Sequence, residues 1–156
     1  MSGMEIVEFE PRFAPAFKAL NLAWITRAYA LEAKDEEILG DPQGQVIAKG
    51  GRVLFALADG EPAGCCALLA MADGGFEIAK MAVGEAHQGL GLAKALMAAA
   101  IERARAAGAP RLYLESNLKQ AAALGLYRAF GFRDLPPDRR PISPYARADV
   151  WMELML

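Results

Sequence analysis

A short apolar and acidic run, Glu5 to Phe9, predicts a first strand. From Phe13 the apolar positions Phe17, Leu20, Trp24 and Ala28 fall three or four residues apart, which predicts an amphipathic helix. Pro15 fits only its first turn. A second, short helix is expected over Lys34 to Leu39, stopped by Gly40 and Pro42. The period then changes. Arg52 to Ala58 and Ala63 to Met71 are apolar runs separated by Asp59-Gly60-Glu61-Pro62, a turn between two strands. The second run is apolar on both faces, as a central strand covered on both sides would be. A further strand, Phe76 to Val83, follows the Asp73-Gly74-Gly75 turn, so the three form an antiparallel meander.

A glycine-bearing loop follows, then a long helix from about Leu90 to Ala107, ended by Gly108 and Pro110. Its apolar stripe is Leu92, Leu96, Ala100, Ile101 and Ala104; Lys94, Glu102, Arg103 and Arg105 take the wet side. Arg111 to Glu115 is the next strand, a helix closes at Phe130-Gly131, and Asp149 to Met155 predicts a last strand. The order is mixed α/β: one βαβ unit, Phe76 to Glu115, inside a largely antiparallel sheet.

Composition narrows the setting. A chain of 156 residues has the size of one domain, expected to cover residues 1–156. Apolar residues at 54 % and charged residues at 23 % exclude intrinsic disorder. A net charge of −2 leaves no positive excess for a nucleic-acid backbone. The two cysteines, Cys65 and Cys66, are neighbours in a strand and point to opposite faces, so no bridge is expected and a cytoplasmic location is. Residues Met1 to Glu10 carry three glutamates and no apolar stretch of a secretory leader. The longest apolar run, Ala63 to Ala72, is too short for a bilayer, so no membrane partner is expected. A single histidine, His87, excludes zinc sites built on paired histidines, and no metal is expected.

The segment from Glu77 to Ala93 runs from a strand through a glycine loop into a helix. Unpaired N–H groups and the positive dipole end at such a helix start suit a diphosphate, and Gly89 and Gly91 allow close approach. A P-loop is excluded because Ala93-Lys94-Ala95 replaces Gly-Lys-Ser/Thr. A dinucleotide fingerprint gains support from Glu115 at the end of the next strand. It breaks down at Lys94, which takes the third glycine position. The third reading is Gln88-Gly89-Leu90-Gly91-Leu92-Ala93, a Gln/Arg-x-x-Gly-x-Gly/Ala motif. Together with Leu126-Tyr127-Arg128-Ala129-Phe130-Gly131-Phe132 and the strand placed before the loop, it resembles the GNAT superfamily of CoA-dependent N-acetyltransferases. The resemblance covers at least Arg52 to Asp134 in the family's order of elements. The stretch from Asn117 to Tyr127 is longer than in many members.

The resemblance implies a sheet of six or seven strands splayed between the fourth and fifth, with about four flanking helices. Acetyl-CoA would lie in the opening, its pantetheine arm paired with backbone around Met81, Ala82 and Val83 as an added strand. Amides from Gln88 to Lys94 would hold the diphosphate, and Asn117 and Tyr127 would complete the coenzyme site. Tyr127 is then the acid for the departing thiolate. Glu77 is the candidate base for the attacking amine, against the alternative of an exposed strand-end carboxylate. Trp24, Arg27, Tyr29, Tyr145 and Arg147 are candidate acceptor contacts, the last two for an acceptor bearing a carboxylate. Glu115 is a candidate second relay, and His87 reads as a loop residue. The expected activity moves an acetyl group to a primary amine of a small molecule or peptide, with a homodimer left open. A non-catalytic acyl-CoA sensor of the same fold and a dinucleotide-binding protein are the alternatives.

Overall fold

A computed structural model describes residues 3–156. Seven strands make one sheet: β1 (Met4–Glu8), β2 (Arg52–Ala58), β3 (Glu61–Ala70), β4 (Phe76–Val83), β5 (Arg111–Ser116), β6 (Arg133–Asp134) and β7 (Val150–Met155). Their order is β1-β2-β3-β4-β5-β7-β6, and only the β4–β5 pair is parallel. The helices are α1 (Ala14–Ala28), α2 (Ala33–Gly40), α3 (Leu92–Ala106) and α4 (Ala121–Ala129). No helix among the described residues is long and apolar enough to cross a membrane.

Two cores lie on opposite faces of the sheet. Leu54, Cys66, Leu68, Leu112 and Met152 meet Leu96 and Met97 of α3 and Leu124 of α4. Val53, Phe55, Cys65 and Ala67 meet Phe17 and Ile25 of α1 and Ile38 of α2. The adjacent cysteines therefore belong to different cores, as strand alternation requires. On α1 the buried stripe is Phe17, Asn21 and Ile25; Leu20 and Trp24 are half-buried and Ala28 is exposed, so the expected face is rotated. A polar residue occupies the inner line because all its bonds are met: Asn21 donates to Phe17 O at 3.0 Å and Cys65 Sγ at 3.4 Å, and accepts from Trp24 Nε1 at 3.2 Å.

The β2–β3 turn is tighter than expected. Asp59 and Gly60 both take left-handed backbone, with φ of 51° and 84°, closing the hairpin in two residues so that β3 starts at Glu61. A π-helical turn over Gln43–Ile47 and the two-residue β6 are too short to show a hydrophobic period.

One irregularity shapes the functional region. Between the pairs Cys65↔Ala82 and Ala67↔Ala79, β4 carries one residue more than β3, and Lys80 in this bulge has a φ of 55°. The inward sequence swaps faces there. Phe76 and Ile78 lie in the α3-side core, as do the neighbouring Met81 and Val83, while Ala82 lies in the α1-side core.

Candidate active site

Strands β4 and β5 pair at only two positions, Phe76↔Leu112 and Glu77↔Tyr113, and then part. The edge of β4 beyond Glu77 is thus open toward β5. It forms one wall of a cleft of about 450 Å³, lined there by Met81, Ala82 and Val83. Asn117 and Tyr127 line the opposite wall, and Trp24, Arg27, Tyr29, Tyr145 and Arg147 also line it.

Glu77 occupies the last paired position, at the apex of the opening. Burial pushes its carboxyl up to about 7; the charge of Glu115 adds to this, while Lys80 and Lys34 act in the opposite sense. Glu115 also faces the cleft and accepts hydrogen bonds from the Tyr113 hydroxyl at 2.6 Å and the Ser143 hydroxyl at 2.5 Å.

Tyr127 sits in the last turn of α4. Gly131, with a φ of 100°, reverses the chain there, and Phe132 N donates to Tyr127 O at 3.1 Å. The tyrosine ring packs 6.1 Å from that of Phe132. Burial, with a contribution from Cys66, raises the phenol to about 12, so it stays protonated through the neutral range.

The glycine loop closes differently from the sequence expectation. Gly89 and Gly91 have φ of 80° and 83°, and the left-handed Gly91 is the N-cap, so α3 begins at Leu92 rather than Leu90. No atom lies within 4 Å of where a Cβ at Gly89 or Gly91 would stand. Leu90 and Lys94 are exposed and Ala93 half-buried, while Leu92 is buried and anchors the helix. Gln88 lines the cleft and donates to Val83 O at 3.3 Å, tying the loop to the end of β4. An open strand edge followed by a left-handed glycine turn at the head of a fifteen-residue helix fits a coenzyme with an amide-rich arm and a diphosphate. His87 lies in a single helical turn before this loop, outside the cleft lining.

Other candidates are already engaged. Asn117 donates to Arg147 O at 2.5 Å and accepts from Lys119 N at 2.9 Å, so its amide braces the chain. Arg27 pairs with Glu85. Tyr29 accepts from Gln120 Nε2 at 3.2 Å and meets Trp24 edge-on at 6.3 Å. Arg147 holds Asp35 through two hydrogen bonds, 2.8 and 2.6 Å, and reaches Glu32 at 3.4 Å. Lys80 donates to Asp35 and, at 3.0 Å, to the Tyr145 hydroxyl. This cluster of Asp35, Lys80 and Glu32 escaped the sequence reading. The one available signal was a lysine interrupting the apolar run from Ile78 to Val83.

The sequence matches the family described as "Acetyltransferase (GNAT) family" over residues 16–132. The chain belongs to this family. A GNAT acetyltransferase of Staphylococcus aureus Mu50 superposes with a TM-score of 0.88 at 17 % identity, covering 97 % of this chain and 98 % of that one. A Salmonella typhimurium protein solved with its cofactor acetyl-CoA superposes with a TM-score of 0.74 at 22 % identity, over 99 % and 94 %. Both share the GNAT fold. An "IAA acetyltransferase" of Azospirillum brasilense is 36 % identical over 103 residues, a match spanning 65 % of each chain. The mixed sheet, opened between its fourth and fifth strands and flanked by four helices, is thus the GNAT arrangement.

Proposed function

We propose that this GNAT protein transfers the acetyl group of acetyl-CoA to a primary amine by direct attack within a ternary complex. The observation that carries the reading is the placement of Glu77 and Tyr127 on one cleft, beside an unpaired strand edge. Acetyl-CoA supplies the acyl thioester. Main-chain groups of Met81 to Val83 would hold its arm, and amides from Gln88 to Lys94 its diphosphate. The Met81 N–H is the donor for the thioester carbonyl oxygen. An alkyl ammonium has a pKa of about 10, so the attacking nitrogen must lose a proton before it reacts. The Glu77 carboxylate takes that proton, directly or through water, and its buried position matches it to neutral pH. Tyr127 gives its hydroxyl proton to the departing sulfur. Burial of both thiols of the chain, Cys65 in one core and Cys66 in the other, supports transfer without an adduct on cysteine.

The test is release of free thiol from acetyl-CoA against a panel of small-molecule and peptide amines. Turnover with at least one amine is expected, and Tyr127→Phe should reduce it by about a hundredfold while acetyl-CoA still binds. Tight binding of CoA with no turnover on any amine would instead indicate an acyl-CoA sensor. Thermal stabilisation by NAD(P) but not by CoA would overturn both readings.

A further inference from the structure

Three distant stretches of the chain converge on one carboxylate. Asp35 of α2 is 0 % exposed, and it accepts from Lys80 in the β4 bulge and from both terminal nitrogens of Arg147. Lys80 is itself 7 % exposed. Glu32, whose side chain caps α2, supplies the second negative charge. It accepts from Ala146 N at 2.9 Å and from Arg147 at 3.4 Å. Two cations and two anions therefore balance within the cluster.

Residues 143–149 form no regular helix or strand, yet they are held at many points. The Arg147 guanidinium lies 4.5 Å over the Tyr145 ring, and Lys80 binds the Tyr145 hydroxyl at 3.0 Å. Tyr145 N donates to Ser143 Oγ at 3.0 Å, and that hydroxyl donates to Glu115. Every link leads back to Asp35 or to a cleft carboxylate. A buried ion cluster is a poor source of net stability, because desolvation of the charges offsets their attraction. What it does supply is a single geometry.

We propose that Asp35 is a positioning residue for the acceptor: through Lys80 and Arg147 it holds Ser143 to Ala148 as the wall of the cleft that faces the incoming amine. The proposal rests on the acetyl-transfer reading above. Arg147 then acts as a strut rather than as a receptor for an acceptor carboxylate. Recognition falls to the Tyr145 ring and to Glu77 and Glu115, which line the cleft.

The experiment uses the full chain with Asp35→Asn, which keeps the shape and removes the charge. Amide hydrogen exchange in the presence of coenzyme A should quicken about tenfold across Ser143 to Ala148, leaving Met81 to Ala95 unchanged. With the best amine of the panel, its KM should rise about tenfold while the KM for acetyl-CoA and kcat change little. Should Asp35→Asn not fold, Arg147→Gln breaks the same clamp from its more exposed side and carries the same two expectations. Unchanged exchange over Ser143 to Ala148, an increase spread evenly over the sheet, or a fall in kcat at constant amine KM would overturn the proposal. If no amine is acetylated, the functional reading falls, and the exchange result alone decides the clamp.

Discussion

Glu77 stands where two strands stop pairing, and that position gives it both burial and access. Its side chain is removed from bulk water, which raises its carboxyl to about 7, yet it still faces the cleft. In the proposed role of base it would act only when deprotonated, so amine acetylation should rise with pH through about 7. Glu77→Gln should lower kcat/KM by about 10²–10⁴-fold and remove that limb of the profile. Steady-state rates of both proteins from pH 5.5 to 8.5 check this. Glu77 and Tyr127 were legible in the sequence because each stands at a fixed offset from a glycine motif. Asp35 and Lys80 were not, and Arg147 was read only as an acceptor contact, since Asp35 lies 45 residues from Lys80 and 112 from Arg147 and such a partnership leaves no local spacing.

Elements were readable where turn chemistry and period agreed. Arg52–Ala58 and Phe76–Val83 emerge with the expected limits, because Asp-Gly and Gly-Gly turns bound apolar runs of strand length. The short β6 emerges only through pairing of Arg133 and Asp134 with β7, which no local pattern encodes. The glycine loop was visible as composition; the left-handed backbone that delays α3 to Leu92 was not. That backbone gives a test at this scale. A side chain at Gly91 meets no neighbour, so Gly91→Ala costs only the strain of a left-handed residue, about 1–2 kcal/mol. The apo protein should melt a few degrees lower. A calorimetric Kd for acetyl-CoA should weaken in parallel, because the same turn aims the amides at the head of α3.

Across the whole molecule, two cores clamp a sheet whose centre holds a carboxyl that prefers its proton. The unfolded chain would release that proton near 4.5, whereas the folded protein keeps it to about 7. Folding stability should therefore decline as pH rises from 4.5 to 7, by on the order of 3 kcal/mol relative to Glu77→Gln, which lacks this slope. Urea unfolding of both proteins at pH 4.5, 6 and 8 measures the difference. A cover on both sides of the sheet was legible from β3, whose run is apolar on both faces; the swap in β4 was hidden, since the extra residue of a bulge leaves no mark on an apolar run broken only by Lys80. That swap sets a parity rule for chain length. Straightening β4 with every residue kept would send Met81 and Val83 toward α1 and Ala82 toward α3, whereas deleting Lys80 would even the ladder and keep all three in their layers, at the loss of the cation that Asp35 holds. A residue lost from the exposed Ala72–Gly74 turn would leave the bulge, and with it every downstream side chain, in its own layer.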